Sequence, residues 1–474
     1  MSKLPSTPLG HTRAVVLGGG LAGMLAAAAL RHAVDQIDII EPHALPDQVA
    51  PRTGLPQARH AHSLMEGGAE AIDQLLPGTL ELLCAAGANR IPLPTGMVAF
   101  SPEGWYRRWL RESHYVIAAS RDLIDHTVRQ QTLKHPGITV HTGHRAVALV
   151  GSRRKVTGVR VEDPAHHTRV IPADLIIDAT GRASRTPLWL SDLGIPRIKH
   201  DKVDSGLAYA SRTFQAPSPT KGWPIVTVQA DARTEPGQAI TILPIENDQW
   251  LVSLSGTRSG QPTSNPDDFL PFARGLRHPV AGELLAHARP ISDVALTHST
   301  ANSRYYYERA SAWPDGLIVL GDAVAAFNPV YGQGMSTAAL GALALRTAVQ
   351  QHGAQATGLA RRVQRAIARP VNTAWALAVG QDIHFPCTTG KTPNAADRIV
   401  QAYSRRLSYT ATGNLHAAIA LTDVITLRTS PARLFRPDVV LAALLGPGRP
   451  QLTGPQFSAS ERHALPHAEG DRAD

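Results

Sequence analysis

The apolar residues of this chain follow two patterns that divide it into regions. Short unbroken apolar runs predict buried strands of a parallel sheet, and they cover residues 14–17, 37–40, 175–177 and 317–320. Between residues 203 and 304 the apolar and polar positions alternate instead, which predicts longer strands of a mostly antiparallel sheet. Because the unbroken runs lie on both sides of the alternating region, we expect an α/β domain split in sequence, with a second domain inserted into it.

Local signals predict further elements. Residues 239–245 and 249–254 are expected to form a hairpin around a turn at 246–248. Residues 96–117 predict a strand pair, and Ser120 is expected to cap the helix that follows. Other short strands are predicted over residues 138–140, 146–150, 156–161 and 168–171. Helices are predicted over residues 24–32, 266–276, 280–287, 337–350, 359–368 (ended by Pro370), 371–380 and 401–427.

A glycine-rich loop joins the first predicted strand to the first helix. It fits the pattern G-x-G-x-x-G through Gly18, Gly20, Leu21, Ala22 and Gly23. Gly18 permits the tight turn, Gly20 lets the backbone approach a pyrophosphate, and Gly23 lets helix and strand pack closely. Free N–H groups at the helix start then face the phosphates, and Glu41, at the end of the second strand, is placed to bind a ribose hydroxyl. The pattern predicts a bound dinucleotide; the alternative is a glycine-rich turn in some other α/β unit.

A second loop follows the last unbroken apolar run. Its candidate ligand-binding residues are Gly321, Asp322, Pro329, Gly332, Gly334 and Met335. A carboxylate at a strand end can accept a hydrogen bond from a ribityl hydroxyl, and the glycines let backbone N–H groups point at a flat ligand. The helix that begins near Met335 directs its positive end to the same place. An ordinary strand-to-helix loop is the alternative.

Composition and charge narrow the class of protein. The chain has 474 residues and a formal net charge of +9, but its arginines are scattered and not interleaved with aromatic residues, which argues against nucleic-acid binding. We expect a solvated basic surface, with attraction to an anionic substrate or carrier protein as the second interpretation. Two distant cysteines and the lack of a signal core or long apolar stretch predict a cytoplasmic protein without a membrane span. His60 and His62 lie two residues apart, but no Cys, Asp or Glu stands beside them at ligand spacing, so no metal is expected.

Together these stretches resemble the single-component flavin monooxygenases of the p-hydroxybenzoate hydroxylase fold. The resemblance covers about residues 13 to 385. It implies bound FAD, and it places Arg121, in the helix start Ser120-Arg121-Asp122-Leu123, near the FAD phosphates. In that family the second motif normally reads Asp-Gly, whereas here Thr180 occupies the usual aspartate position in Asp178-Ala179-Thr180-Gly181. Met335-Ser336 also stands where Leu-Asn is frequent.

The resemblance implies a domain organisation. The fold class is α/β, with a Rossmann-type FAD-binding domain, an inserted mostly antiparallel substrate domain and a C-terminal helical region. The FAD-binding domain is expected to take residues 1–90, 115–185 and 305–370, and the substrate domain 91–114 and 186–304. Helices are expected over 371–446 and a disordered tail over 447–474.

Five stretches look like those of the polyether-pathway epoxidases, such as the lasalocid and monensin enzymes. They are residues 54–62 (GLPQARHAH), 76–79 (LPGT), 179–182 (ATGR), 204–206 (DSG) and 327–335 (FNPVYGQGM). The resemblance implies epoxidation of a linear polyene polyketide, either free or tethered to a carrier protein, through a C4a-hydroperoxyflavin. The cofactor then carries the chemistry, so no protein nucleophile or base is required. The electrons come from NAD(P)H or a separate flavin reductase, and the oxidant is O2.

Two alternatives remain open on the same scaffold, an aromatic hydroxylase and a redox-silent FAD-containing polyene cyclase. A halogenase is disfavoured because the Trp-x-Trp-x-Ile-Pro signature is absent. No catalytic residue is certain, and His60 and His62 are candidate positioning groups near the flavin edge. Each of several aromatic residues is either a core residue or a substrate contact: Trp105, Tyr209, Phe214, Trp250, Tyr305, Tyr306, Trp375 and Phe385.

Overall fold

The computed structural model describes residues 11–234 and 236–462. Its strands, in chain order, are β1 (Arg13–Leu17), β2 (Gln36–Glu41), β3 (Ser63–Met65), β4 (Asn89–Leu93), β5 (Met97–Ser101), β6 (Gly104–Trp105), β7 (His114–Ala118), β8 (Ile138–Thr142), β9 (Arg145–Gly151), β10 (Val156–Glu162), β11 (Thr168–Pro172), β12 (Leu175–Asp178), β13 (His200–Val203), β14 (Ala208–Gln215), β15 (Ile225–Val228), β16 (Gln238–Ile245), β17 (Gln249–Gly256), β18 (Arg289–Pro290), β19 (Ala295–Thr297), β20 (Asn302–Tyr305), β21 (Leu317–Val319) and β22 (Ala325–Ala326). Its α-helices are α1 (Leu21–Leu30), α2 (Glu66–Leu75), α3 (Thr79–Ala85), α4 (Arg121–Leu133), α5 (Thr186–Asp192), α6 (Pro266–Arg274), α7 (Val280–Leu285), α8 (Gly334–His352), α9 (Leu359–Asp382), α10 (Ala395–Ala411), α11 (Leu415–Ile425), α12 (Pro437–Leu445) and α13 (Ala459–Arg462).

The four unbroken apolar runs form the parallel sheet that they predict. This five-stranded sheet has the order β21-β12-β1-β2-β8, and every neighbouring pair in it is parallel. Residues 14–17 at its centre are completely buried. Helix α1 is rich in alanine, which lets it pack closely between the sheet and helices α4 and α8. The carboxyl ends of β1 and β12 therefore meet at one edge, where the glycine loop begins.

The alternating region forms the inserted sheet. Eight strands follow the order β18-β14-β17-β16-β15-β5-β6, with β19 also paired to β14, and the β5–β15 pair is parallel whereas the others are antiparallel. The predicted hairpin is confirmed as β16 and β17, and Asn247 and Asp248 adopt the positive φ angles that its tight turn requires. The predicted α/β fold with an inserted, mostly antiparallel sheet and C-terminal helices is confirmed. Among the described residues, no helix combines the length and the apolar character needed to cross a membrane.

Four expectations about local elements differ from the structure. Pro370 does not end a helix, because residues 359–382 form the single helix α9, whose buried face continues through Val363, Ile367 and Val371. The predicted helix over 401–427 is instead two helices, separated at Gly413 and restarted by the Asn414 side chain, which accepts a hydrogen bond from Ala417 N–H.

The other two differences concern the inserted sheet and the tail. Within residues 96–117, β5 and β6 pair with each other, but β7 leaves them and pairs with β3 and β4. Residues 447–462 are not a disordered tail, because Phe457 is buried against the inserted sheet and Glu461 forms an ion pair with Arg108. Residues 1–10 and 463–474 lie outside the described residues.

Candidate functional site

The glycines of the first loop differ in how closely the surrounding atoms pack against them. A Cβ atom at Gly18, whose φ is +94°, would lie 2.7 Å from the Ala179 carbonyl oxygen, and one at Gly23 would lie 1.8 Å from the Gly18 carbonyl oxygen. Both positions are therefore closed to side chains by packing. A Cβ at Gly20 would meet only an Arg52 nitrogen at 3.7 Å, an ordinary van der Waals contact, so packing leaves room for a side chain at this position. Leu21 and Ala22 follow in the first turn of α1, where backbone N–H groups have no partner within the helix.

Glu41 lies directly behind this loop. Its carboxylate accepts hydrogen bonds from Gly19 N–H (2.7 Å) and His43 N–H (3.0 Å), and it forms an ion pair with Arg52 at 2.5 Å. Arg52 also donates to the Gly19 carbonyl oxygen at 2.9 Å. The buried ion pair between Glu41 and Arg52 thus holds the loop at Gly19. Sequence reasoning missed Arg52, because it stands in a proline-rich stretch without a recognisable pattern.

The structure brings the second loop against the first. A Cβ at Gly321 would lie 2.9 Å from the Ala22 Cβ, and one at Gly334 would lie 3.8 Å from a carboxylate oxygen of Asp322. Burial raises the pKa of Asp322, and the positive charges of Arg182 and Arg121 oppose that rise. Two guanidinium groups, those of Arg182 and Arg121, therefore lie near this second-loop carboxylate. Arg121, at the start of α4, is fixed by Asp125, which accepts its Nε–H at 2.7 Å.

The segment before α8 is shaped by a short 3₁₀-helix over Pro329–Tyr331. Asn328 caps it by accepting a hydrogen bond from Val330 N–H, and Gly332 then takes a left-handed conformation with φ +65°. A Cβ at Gly332 would lie 3.0 Å from the Met65 side chain and 3.3 Å from the Ser63 hydroxyl. Helix α8 begins at Gly334 and Met335, so its positive end lies beside Asp322.

Thr180 occupies the position where the resemblance leads one to expect an aspartate, and it is hydrogen-bonded to Asp178. Its N–H and hydroxyl both donate to Asp178, at 2.9 and 2.5 Å. The fully buried Asp178 also accepts the hydroxyls of Ser184 and Thr186, each at 2.5 Å. This carboxylate fixes the turn after β12, and the threonine is part of that turn.

His60 and His62 lie between the second loop and the inserted sheet. His60 Nδ1 is 2.8 Å from the Ser211 hydroxyl on β14, and His62 Nδ1 donates to the His60 carbonyl oxygen at 2.6 Å. Burial lowers the pKa of His60 to about 4. Burial, reinforced by the charge of Arg121, lowers the pKa of His62 to about 3. Both imidazoles are therefore neutral at physiological pH.

Six of the aromatic candidates lie in three different surroundings. Trp105, Phe214 and Trp250 lie in the hydrophobic core that the inserted sheet forms with α6 and α7, which assigns them to packing. Tyr209 instead faces the second loop, because its ring is 5.8 Å from the His60 ring and its hydroxyl is 3.4 Å from Asn328 Oδ1. Tyr305 stacks on His200, and Tyr306 donates a hydrogen bond to Asp201.

These residues fit FAD. The Gly20 backbone and the N–H groups of Leu21 and Ala22, which have no partner within the helix, would hold the pyrophosphate, and Arg121 lies near Asp322 in the second loop. Asp322 makes no hydrogen bond to another described residue and is placed to accept one from the ribityl chain. Gly332, Gly334 and Met335 would lie along the flavin ring at the positive end of α8.

Comparison with known proteins agrees with this fit. Residues 11–357 match a protein family described as "FAD binding domain". Protein Rv3254 of Mycobacterium tuberculosis (strain ATCC 25618 / H37Rv) is 30% identical over 390 residues, which cover 80% of this chain and 81% of that protein. Kynurenine 3-monooxygenase of Salinispora tropica is 26% identical over 365 residues, which cover 73% of this chain and 75% of that enzyme.

Solved structures share the fold at low sequence identity. The flavin-dependent brominase Bmp2 superimposes with a TM-score of 0.64 at 16% identity, over 92% of this chain and 98% of that one. The p-nitrophenol 4-monooxygenase of Pseudomonas putida DLL-E4 gives 0.61 at 15% identity, over 88% and 98% of the two chains. At these identities the likeness concerns the fold alone.

Proposed function

This chain belongs to the FAD-binding-domain family, and we propose that it is an FAD-dependent monooxygenase that epoxidises one or more alkenes of a linear polyene polyketide. In the balanced reaction, alkene, O2, NAD(P)H and a proton give epoxide, water and NAD(P)+. When bound, reduced FAD supplies the activation of O2 and the electrophilic oxygen atom. The residues of this chain bind the cofactor, orient the substrate and keep water from the reacting atoms.

The observation that carries the proposal is how the two histidines beside the second loop are held: His60 Nδ1 is 2.8 Å from the Ser211 hydroxyl, and His62 Nδ1 donates to the His60 carbonyl oxygen at 2.6 Å. Hydroxylation of a phenol is assisted by a base that removes the phenolic proton, and a base works best when its pKa lies near the operating pH. His60, with a pKa of about 4, and His62, with a pKa of about 3, are too weakly basic for that task. Epoxidation of an alkene needs no such proton transfer, so neutral donors that position the substrate suffice.

Cofactor binding is assigned to residues of the two glycine loops, together with Glu41 and Arg121. We propose that Gly20, Leu21 and Ala22 bind the pyrophosphate, with Gly18 and Gly23 keeping the loop closely packed. We also propose that the Glu41 carboxylate, which Gly19, His43 and Arg52 hold in place, accepts one further hydrogen bond from the adenosine ribose. Asp322 and the neighbouring Gly321 and Pro329 would hold the ribityl chain, and Arg121 the phosphates. Electrons come from NAD(P)H directly or from a separate reductase, and the polyketide arrives free or on a carrier protein.

The test begins with the absorption spectrum of the purified protein, which is expected to show bound flavin. The protein is then given an olefinic polyketide, NADPH with or without a flavin reductase, and ¹⁸O2. We expect substrate-dependent O2 consumption and a product that carries one ¹⁸O atom per epoxide. A protein that does not take up FAD, or that consumes no O2 with the polyketide present, would refute the proposal.

The same assay separates the two alternatives. An aromatic hydroxylase, which the identity to kynurenine 3-monooxygenase favours, predicts that a phenol or aniline accelerates flavin reduction and gains the oxygen. A redox-silent polyene cyclase predicts turnover without O2 or reductant. Neither result is expected from an epoxidase.

Asp322→Ala tests the placement of the cofactor. Loss of a hydrogen bond to a charged group costs about 1.5–3 kcal/mol, so we expect FAD to bind roughly tenfold or more weakly and the purified protein to lose its yellow colour. The exposed Asp192→Ala is the control and is expected to retain flavin. Full flavin content in Asp322→Ala would show that Asp322 does not contact the cofactor. Flavin content is measured from the absorbance ratio, and affinity from fluorescence quenching on titration.

A further inference from the structure

A buried carboxylate lies outside the residues assigned above and holds the second loop from behind. Asp382 ends helix α9 and is only 2% exposed. Its Oδ1 accepts the Tyr331 hydroxyl at 2.6 Å, and its Oδ2 accepts the side-chain amides of Asn302 at 2.7 Å and Asn328 at 3.0 Å. Every one of these side chains donates to the carboxylate.

The two asparagines extend the network into the backbone of the loop. Asn302 Oδ1 accepts Asn328 N–H at 2.8 Å, and Asn328 Oδ1 accepts Val330 N–H at 3.2 Å and the Tyr209 hydroxyl at 3.4 Å. Both asparagines are buried, with exposures of 0% for Asn302 and 1% for Asn328. The carboxylate thus ties together α9, β20, the loop and, through Asn328, the inserted sheet.

The network holds a loop whose conformation also has local determinants. Asn328, the 3₁₀-helix over Pro329–Tyr331 and the left-handed Gly332 place the start of α8 beside Asp322. Burial raises the pKa of Asp382, whereas the hydrogen bonds from Asn328, Tyr331 and Asn302 lower it. A buried network in which each donor meets an acceptor rigidifies the segment that it connects.

We propose that Asp382 is a positioning residue, which fixes the loop over residues 328–334 in the conformation that receives the flavin ring and couples that loop to the inserted sheet. The inference rests on the proposed function, since it assumes that the loop borders FAD. Asp382 does not touch the cofactor itself; it acts through Tyr331 and Asn328. The pattern of residues in the sequence does not indicate this role, because Asp382 lies 51 positions after Tyr331, at the end of a long helix.

The test compares Asp382→Asn with Asp201→Asn. Asp382→Asn keeps the size of the side chain but sets an amide NH2 against groups that are themselves donors. Asp201 also accepts a tyrosine hydroxyl, that of Tyr306 at 2.7 Å, but it is partly exposed and its side chain makes no described hydrogen bond to residues 328–334. We expect FAD to bind at least tenfold more weakly to Asp382→Asn, with a shifted absorption band of the bound flavin and more H2O2 formed per oxygen atom transferred. Asp201→Asn is expected to bind FAD within twofold of the wild type.

Tyr331→Phe removes one donor and is the gentler second variant. We expect a loss of about threefold in FAD affinity, and the double variant with Asp382→Asn should be no weaker than Asp382→Asn alone, because both changes act on one contact. If Asp382→Asn does not fold, Tyr331→Phe and its flavin spectrum decide the matter.

The failure of this inference can be told apart from failure of the proposed function. If the wild type binds FAD and Asp382→Asn lowers only the melting temperature of the apoprotein, leaving FAD affinity and flavin spectrum unchanged, the network is purely structural and the inference is wrong. If the wild type binds no FAD, the proposed function is wrong, and the positioning role of Asp382 is wrong as well.

Discussion

Gly20 and Gly23 stand three residues apart in one loop, but a side chain at each would meet different surroundings. A Cβ at Gly23 would lie 1.8 Å from the Gly18 carbonyl oxygen, whereas one at Gly20 would lie 3.7 Å from the end of a flexible arginine. Gly20 also has an ordinary extended backbone that alanine adopts without strain. Packing therefore explains Gly23, whereas packing does not require a glycine at position 20, where we propose that the backbone approaches the pyrophosphate.

This contrast predicts opposite effects of two alanine substitutions. Gly23→Ala is expected to destabilise the apoprotein by on the order of 3 kcal/mol, because the backbone of the loop must move. Gly20→Ala should leave the stability of the apoprotein within about 0.5 kcal/mol of the wild type but weaken FAD binding roughly tenfold or more. Thermal melts without cofactor and FAD titrations measure the two effects. A Gly20→Ala variant with wild-type affinity would contradict the placement of the pyrophosphate.

His60 predicts a pH dependence of stability. The folded protein holds its pKa at about 4, below the usual 6.5, so the unfolded chain binds a proton more readily. Stability is therefore complete above about pH 6.5 and falls as the pH drops from there through 4, by on the order of 3 kcal/mol from this group. His60→Gln, which can still bond Ser211, should flatten that part of the profile, whereas the exposed His298→Gln should not. Denaturant unfolding between pH 4 and 8 measures the slopes.

At the scale of single elements, Pro370 lies inside helix α9, which is stabilised by packing against neighbouring elements. The ring removes the N–H that would bond the Ala366 carbonyl group, a loss of about 3 kcal/mol in an isolated helix. Helix α9 nevertheless continues, because it packs along α8 through Val363, Ile367 and Val371 on one buried face. The free energy gained by burying this face of α9 outweighs the low helix propensity of proline.

Pro370→Ala is accordingly expected to stabilise the protein, by about 1–3 kcal/mol, since the missing hydrogen bond can form. Arg369→Ala, an exposed change next to it, should stay within about 0.5 kcal/mol of the wild type. Chemical denaturation of the apoprotein gives both values. A destabilised Pro370→Ala would mean that the helix is bent at this point to fit its surroundings.

The same distinction explains which elements could be predicted from the sequence. Runs such as 14–17 and 317–320, and the hairpin around 246–248, carry their period and turn residues locally, and the structure confirms them. The break at Gly413 and the partner of β7 depend on which distant surface each segment meets, which no local pattern records. For the site, the two loops were identified from their glycines, but Arg52 and Asp382 were not, because their significance comes from contacts across the fold.

At the scale of the whole molecule, the C-terminal segment fastens the inserted sheet. Phe457 is 5% exposed and its ring lies 6.2 Å from that of Trp223, while Arg108 pairs with Glu461 at 2.5 Å. These contacts join residues more than 200 positions apart. The segment therefore completes the hydrophobic core on one side of the inserted sheet.

Phe457→Ala is expected to lower the stability of the protein by about 3 kcal/mol, because it leaves a cavity in that core. Phe435→Ala provides the matched control, since that side chain is 53% exposed and its loss should cost less than about 1 kcal/mol. Melting temperatures of the two variants measure the difference. Equal effects would show that the segment contributes nothing to the core.

The order of the central sheet also governs how the protein forms during synthesis. The first four strands of this sheet to leave the ribosome are β1, β2, β8 and β12, whereas β21, which covers the outer side of β12, follows only after the intervening residues 179–316. Until then the nascent chain exposes an unpaired edge strand made of Leu175, Ile176 and Ile177, the kind of surface that recruits other chains. A translation product cut short before residue 317 keeps that edge open permanently and is a natural client for chaperones.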